Sequence, residues 1–137
     1  MPELDAVSNL ALPLRLNGNR NAFDIATDWL KKVGLQDRAK HRPHQLSGGE
    51  QQRIAIARAF VSEPRFIFAD EPTGNLDSAH GEEVMRTLND LNKEGTTIIM
   101  VTHSQRDASY ANRIIRLFDG QIINENILQS FKERKES

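Results

Sequence analysis

The stretch LSGGEQQR, residues 46–53, says more about this chain than any other part of its sequence. A Ser-Gly-Gly run at the start of an amphipathic helix favours anion binding, because the first amides of a helix have no partner within it and the helix dipole is positive there. Glycines let the backbone approach a phosphate, and the hydroxyl of Ser47 adds a donor. Ser47 and Glu50 also have the spacing of a capping box, so a well-capped helix start is a second interpretation, compatible with the first.

Three further motifs follow this stretch in order. An apolar run at 65–69 predicts a parallel strand that is buried on both faces and ends at Asp70 and Glu71. The segment PTGNLD at 72–77 comes next, and a β-branched strand at 97–101 leads to a histidine. Ligands bind at the carboxyl ends of strands in open α/β sheets, which places the two acids at an expected binding edge. Taken alone the acid pair is better explained as a solvated strand end, but the motifs around it reverse that preference.

This ordered set resembles the nucleotide-binding subunit of ABC transporters, with a signature motif, a Walker B acid pair, a D-loop and a switch histidine. The resemblance implies that Asp70 holds Mg²⁺ through its water shell and that Glu71 orients and polarises the attacking water. It also implies that Asp77 links two nucleotide sites across a dimer and that His103 contacts the γ-phosphate of ATP. From the residues alone, Asp77 is an acid at a helix start and His103 a polar residue at a strand end.

The resemblance also gives a role to the start of the signature helix. Contact with the γ-phosphate of ATP, held by the opposite subunit of a head-to-tail dimer, is implied for Ser47, Gly48, Gly49 and Glu50. Family members commonly have an acid after the switch histidine, whereas this chain has Ser104. The 72–77 segment narrows the match to the group that includes lipoprotein-releasing, macrolide-exporting and cell-division ABC ATPases.

The phosphate-binding P-loop, Gly-x-x-x-x-Gly-Lys followed by Ser or Thr, does not occur in these 137 residues, because no lysine follows a glycine. In the family the P-loop lies upstream of the signature motif. The resemblance covers essentially the whole chain but only the C-terminal part of a family subunit. We therefore expect a partial ATPase domain that is inactive by itself and that exposes an apolar strand edge where the P-loop strand would lie.

Two functions of different classes agree with these observations. In the first, the chain represents the catalytic subunit of an ABC transporter, which couples hydrolysis of MgATP to transport across a membrane. In the second, it is a non-catalytic binding module that supplies its signature motif in trans to an intact ATPase, or that competes for the membrane subunit. A third alternative is a chain that does not fold stably. Upstream sequence with a P-loop would favour the first function.

Strands that alternate with helices indicate an α/β fold. With the resemblance, this predicts a partial P-loop NTPase domain, made of a helical subdomain and the C-terminal part of a mainly parallel sheet. The expected division of this single truncated domain is a helical portion at 1–47, the signature helix with the other motifs and the last strands at 48–124, and a charged helical tail at 125–137.

For the first 18 residues, the local pattern and the family resemblance predict different structures. The leucines between residues 10 and 16 alternate with other residues, which predicts a short strand or an extended segment, and Pro2 and Pro13 act as breakers. The resemblance instead places this segment at the entrance to the helical subdomain, and we prefer that interpretation.

Periodicity predicts the remaining elements. A helix at 20–33 is capped by Asn19 or Asn21 and ended by Gly34. Its apolar face consists of Phe23, Ala26, Trp29, Leu30 and Val33. A second helix is predicted at 48–62, with an apolar stripe of Ile54, Ala57 and Val61. A third is predicted at 79–93, capped by Ser78 and stopped by Gly95, with Val84, Leu88 and Leu91 facing inward. A short helix near 105–111 and a hairpin at 113–123, with its turn at 119–120, complete the prediction.

Composition narrows the function classes. The formal net charge is −1 and no basic patch stands out, so nucleic-acid binding is not expected. The chain has no cysteine for a disulfide scaffold, and no apolar run approaches the roughly 20 residues that span a bilayer, so direct membrane insertion is not expected. His41, His44 and His80 show no metal-ligand spacing and are predicted to be structural or exposed.

The resemblance supplies the remaining expectations. It implies ATP and Mg²⁺ as cofactors. The partners it implies are a transmembrane permease subunit and a second ABC ATPase subunit, identical or different. It places the protein in the cytoplasm, peripheral on the inner face of the cell membrane.

Overall fold

The computed structural model describes residues 3–118 and 121–125, which belong to two compact units. In the first unit, Met1–Val101, the elements are α1 (Ala6–Leu16), α2 (Ala22–Lys32), the short 3₁₀ turns Gln36–Arg38 and Pro43–Gln45, α3 (Gly48–Phe60), β1 (Phe66–Asp70), α4 (Ser78–Lys93) and β2 (Thr97–Val101). In the second unit, Thr102–Ser137, they are α5 (Gln105–Ala108), β3 (Ile115–Phe118) and β4 (Gln121–Glu125). The α/β class is confirmed, whereas the predicted division at residues 47 and 124 stays a prediction.

The first helix replaces the strand or extended segment predicted from the leucine pattern, and that local prediction is wrong. The spacing of the apolar residues fits a helix as well as a strand. In the helix, Leu10 and Leu14 are four residues apart, so they share one face, and both are buried. The Asp5 carboxylate caps the helix by accepting a hydrogen bond of 2.9 Å from an amide three residues on. Pro13 lies inside the helix instead of ending it, although a proline has no amide and so costs the helix one backbone hydrogen bond.

The second helix confirms the prediction at 20–33. Asn21 occupies the N-cap position, although its side chain makes no capping bond. Its amide donates to the Asn19 side chain at 2.8 Å. Gly34 has a φ of +74°, which ends the helix as predicted. The core of the first unit lies between α1, α2 and α3 and consists of Ala6, Val7, Leu10, Ala11, Leu14, Ala22, Ala26, Leu30, Val33, Leu35, Ile54, Ala57 and Val61.

Two aromatic residues of α2 have different environments. Trp29 packs against Phe60 of α3, with ring centroids 5.8 Å apart. Phe23 was expected on the apolar face, but it is 46% exposed and that prediction is wrong. The Arg15 guanidinium lies 5.5 Å from the centroid of the Phe23 ring, so a cation–π contact at the surface takes the place of core packing.

The apolar faces of α3 and α4 are confirmed, but the cap of α4 is corrected. Asp77 is extended and its side chain accepts from the His80 amide at 2.9 Å, which makes Asp77 the N-cap. Ser78, which was predicted as the cap, is the first helical residue. Gly95 follows the helix with a φ of +113°, as expected of its stop. The buried residues of the two faces include Ile54, Ala57, Val61, Val84, Leu88 and Leu91.

The two strands of the first unit pair in parallel, with Phe66 opposite Thr97 and Asp70 opposite Val101. Burial on both faces was predicted for β1 and is wrong for this chain, because exposed and half-buried residues alternate along both strands. Among the residues that the structure describes, this sheet has no third strand, and the expected edge beside a P-loop strand stays a prediction. The exposed face carries Phe66 and Phe68, each 63% exposed, and Ile99 and Val101, each 46% exposed.

The second unit contains the predicted hairpin, because β3 and β4 pair antiparallel with one shift in register. The helix expected near 105–111 is the single turn α5, and Ser104 caps it by accepting a backbone hydrogen bond of 3.1 Å. The predicted turn at 119–120 and most of the charged tail predicted at 125–137 lie outside the described residues.

Candidate functional site

The start of α3 is held by a complete capping box. The Glu50 amide donates to Ser47 Oγ at 3.1 Å, and the Ser47 amide donates to Glu50 Oε1 at 3.0 Å. Arg38 Nε donates to the other carboxylate oxygen of Glu50 at 3.1 Å. The backbone hydrogen bond from Ser47 is the main reason that the pKa of Glu50 lies below its usual range, with the Arg38 charge acting in the same direction. The helix start is therefore rigid, and its carboxylate is charged at neutral pH.

The first two amides of α3 belong to Gly48 and Gly49, and amides at these positions have no carbonyl partner inside a helix. Gly48 is exposed and Gly49 is buried. A β-carbon at Gly48 would lie 3.3 Å from Leu76 Cδ2, and one at Gly49 would lie 3.1 Å from His80 Cβ. Close packing of α3 against the segment that leads into α4 is thus a second reason for glycine here, which the sequence pattern did not reveal.

The acid pair lies at the end of β1, as predicted. Asp70 is its last residue and is exposed, whereas Glu71 is half-buried. The Glu71 amide donates to the Val101 carbonyl at 2.8 Å, so the pairing with β2 continues for one residue beyond the strand. Glu71 has a φ of +44°, in the left-handed region that residues other than glycine rarely adopt. The Gly74 amide donates to the Glu71 carbonyl at 3.0 Å and closes the turn that holds this conformation.

The acids can be tested for their fit to Mg²⁺. Among residues 3–118 and 121–125, no group of three or more His, Cys, Asp or Glu side chains converges to hold a metal ion. Mg²⁺ usually keeps several waters and binds one or two carboxylates together with substrate phosphates, so it does not need a cage of protein ligands. A single exposed carboxylate at the strand end, as Asp70 provides, fits that mode of binding.

The Asp77 carboxylate makes a close pair with His80. Nδ1 of His80 lies 2.9 Å from Oδ1 and 2.8 Å from Oδ2 of Asp77, in addition to the backbone cap. Hydrogen bonding to Asp77 raises the pKa of His80, and the bond from the His80 backbone lowers the pKa of Asp77. From the sequence, His80 is predicted only to be structural or exposed. An acid at the N-cap with a histidine three residues later is the signal that would have found this pair.

Arg53, the last residue of the LSGGEQQR stretch, connects three helices. Its Nη1 donates to the Val33 carbonyl at the end of α2 at 2.9 Å, and its Nη2 lies 3.5 Å from Glu83 Oε2 on α4. Only 15% of its side chain is exposed. Arg53 therefore fixes the direction of α3, a role that the LSGGEQQR pattern does not indicate by itself.

Comparison with known proteins identifies the family. A family model described as ABC transporter matches residues 1–74, more than half of the chain. This chain belongs to the ABC transporter ATP-binding family. An uncharacterized ABC transporter ATP-binding protein of Methanocaldococcus jannaschii is 53% identical over 122 residues, which cover 88% of this chain and 54% of that protein.

Other members of the ABC family give the same result. The macrolide export ATP-binding/permease protein MacB of Chlorobaculum tepidum is 48% identical over 126 residues, which cover 91% of this chain and 19% of that protein. A structure of the ATP-binding cassette MJ0796, described as a dimeric post-hydrolysis state bound to ADP and Pi, has 41% identity and a TM-score of 0.78, and the match covers 93% of this chain and 58% of that one. The chain thus spans about half the length of the first relative and about a fifth of the macrolide export protein.

Within the ABC fold, the structure brings some of the predicted site residues together. Gly48 lies close to Leu76 in the segment that follows the acid pair, and Gly49 lies close to His80 in the first turn of α4, whose imidazole pairs with Asp77. His103 belongs to the second unit, where it is exposed and follows β2 by two residues. The individual roles of the site residues in ATP binding and hydrolysis stay predictions.

Proposed function

We propose that these residues form the signature-bearing part of an ABC ATPase subunit that couples MgATP hydrolysis to transport across a membrane. The observation that carries this proposal is the start of α3. Its first two amides have no partner inside the helix, its capping box is closed on both sides, and it contacts the segment that follows the acid pair. A rigid helix start with a positive dipole end suits the γ-phosphate of ATP.

The proposed roles divide binding from chemistry. Asp70 holds Mg²⁺, which neutralises developing charge on the phosphates, and Glu71 orients and polarises the attacking water. His103 contacts the γ-phosphate, and Asp77 links the two nucleotide sites of a dimer. ATP bound to the opposite subunit is contacted by Ser47, Gly48, Gly49 and Glu50.

A complete site also needs a phosphate cradle. The P-loop pattern is absent from these 137 residues, so the amides and lysine that hold the β- and γ-phosphates must come from outside them. Phosphoryl transfer depends mainly on positioning and electrostatics, so these residues alone should bind ATP weakly and turn it over slowly, if at all.

The proposed partners follow from the family. None of the helices in the described part of the chain combines the length and the apolarity needed to cross a bilayer. We propose that a transmembrane permease subunit provides the transport path and that a second ABC ATPase subunit completes the nucleotide sites. In this proposal the protein lies at the cytoplasmic face of the membrane. The dimeric cassette structures and the ATP-binding/permease relatives support this arrangement.

The test is MgATP hydrolysis by the purified chain, with and without a P-loop-containing N-terminal half of an ABC cassette added as a second polypeptide. We expect turnover only in the mixture, and a loss of about 10²- to 10⁴-fold in Glu71→Gln. Glu94→Gln, which removes an exposed acid that pairs with Lys32, is the matched control and should keep full turnover. Turnover by the chain alone that Glu71→Gln abolishes would show a phosphate cradle within these residues and contradict the need for an added P-loop.

A second candidate function is a binding module that supplies its signature motif in trans. It is favoured by the capping box at Ser47, which is complete without any P-loop segment. The discriminating assay uses an intact cassette whose own signature serine is replaced by arginine, so that its homodimers are inactive. Restored turnover on adding this chain would support the module if Ser47→Arg abolishes it. Glu71→Gln should not affect it, because the catalytic acid then belongs to the P-loop-bearing partner.

A further inference from the structure

His80 joins two segments that the sequence motifs treat separately. Its Nδ1 lies within 2.9 Å of both carboxylate oxygens of Asp77. Its other side faces the start of α3, where a β-carbon at Gly49 would lie 3.1 Å from His80 Cβ and 3.3 Å from His80 Cδ2. One side chain therefore bonds to the acid that ends the 72–77 segment and lies close to the second residue of the signature helix.

The charges around His80 come from three directions. Asp77, which precedes α4, is the nearest and strongest, and its hydrogen bond and charge raise the pKa of His80. Glu83 on α4 acts in the same direction, whereas Arg53 on α3 opposes them. The His80 side chain is 46% exposed, so it exchanges protons freely with solvent. The net effect of these groups is a pKa of His80 above its ordinary value, with the hydrogen bond to Asp77 as the main cause.

We propose that His80 is a positioning residue that fixes the Asp77 carboxylate and holds the 72–77 segment against the start of the signature helix. Its importance for ATP turnover rests on the proposed function, because that function gives both segments their roles. The coupling itself requires no nucleotide, and it depends only on the two contacts of the imidazole ring.

Protonation should change how tightly the two segments are joined. The imidazolium makes a charge-assisted pair with the Asp77 carboxylate, which is stronger than the bond of a neutral ring. When the ring loses its proton, Asp77 keeps the backbone cap from the His80 amide but loses the ionic contact. The ring then gains freedom against Gly49, so the environment of the Gly49 amide should follow the charge of His80.

The test is a titration of the ¹⁵N-labelled chain by NMR from about pH 5 to about pH 9, across the range in which histidines change charge. We expect the His80 ring nitrogens and the Gly49 amide to share one midpoint. In Asp77→Asn that midpoint should fall toward about 6.5, since the asparagine carries no charge. Asparagine is also a good N-cap, so this variant keeps the helix start and separates the ionic contact from folding.

Two further variants sharpen the result. His80→Gln keeps a hydrogen-bonding side chain but cannot titrate in this range, so it should abolish the pH response of the Gly49 amide. His44→Gln removes an exposed histidine from the Pro43–Gln45 turn and should leave the response unchanged. A Gly49 amide that does not follow His80, or a midpoint that Asp77→Asn leaves in place, would overturn the inference. Because the titration contains no ATP, a failure of the proposed ATPase function would leave its result standing.

Discussion

The helical part of the first unit and its two-stranded sheet differ in how completely they are packed. The core between α1, α2 and α3 is formed by described residues alone, and Leu10, Ala11, Ala26, Leu30 and Ala57 have no exposed surface. The sheet leaves four large apolar side chains of one face open: Phe66, Phe68, Ile99 and Val101. The helical part therefore has its packing partners within the described residues, whereas one face and the outer edges of the sheet do not.

Replacing a phenylalanine in each region tests this difference in packing most directly. Phe60 on α3 is 3% exposed and packs against Trp29, so Phe60→Ala should lower the free energy of unfolding by about 3–5 kcal/mol. Phe68 on β1 is 63% exposed, and Phe68→Ala should change it by no more than about 0.5 kcal/mol. Urea unfolding of the two variants measures both values. Equal losses would mean that the open face of the sheet is covered in solution.

A smaller effect is expected at the capped start of α3. Ser47→Ala removes the acceptor of the Glu50 amide and should lower the free energy of unfolding by about 1 kcal/mol. Ser47→Thr retains a hydroxyl acceptor and should stay close to the original value. Thermal unfolding followed by circular dichroism compares the two. A cap that contributes nothing would show as identical midpoints for Ser47→Ala and Ser47→Thr, and would contradict a rigid signature start.

The same helix start predicts a dependence on pH. The pKa of Glu50 is lowered in the folded chain, so its contribution to stability is present above its unfolded value of about 4.3 and is lost as the pH falls through the folded value. Glutamine at this position keeps the capping box without titrating. Urea unfolding at about pH 6 and about pH 3 should therefore show a larger acid loss for the original chain than for Glu50→Gln. Parallel losses in both proteins would assign the acid sensitivity to other groups.

The sequence predicted the elements whose signals are local. Gly34 and Gly95 end their helices, and Ser47 with Glu50 closes the capping box, because each feature depends on residues a few positions apart. The pair of Asp77 and His80 is equally local, but His80 was examined only for metal-ligand spacing and, having none, was predicted to be structural or exposed.

Other features depend on what packs against the chain, and local pattern could not decide them. The leucines of residues 10–16 fit both a strand and a helix, and packing against α2 and α3 selects the helix. Phe66 and Phe68 predicted a strand with two buried faces, but only neighbours determine whether a face is covered. The contact of Gly49 with His80 joins residues 31 positions apart, which no short motif describes. For the same reason, the roles of Asp70 and His103 come from the family resemblance.

Removing the aromatic side chains from the exposed face of β1 should change stability least but change association strongly. Thr favours strands as Phe does, so a double variant, Phe66→Thr with Phe68→Thr, should keep β1 and shift the free energy of unfolding by no more than about 0.5 kcal/mol per site. The exposed apolar face should nevertheless lose its tendency to self-associate, because two large aromatic side chains leave it. Analytical ultracentrifugation of both proteins, at matched concentrations, measures this difference. If the double variant unfolds much more readily, the face is packed rather than open. If both proteins stay monomeric, the open face alone does not drive association, and the sheet differs from the helical part in packing but not in behaviour.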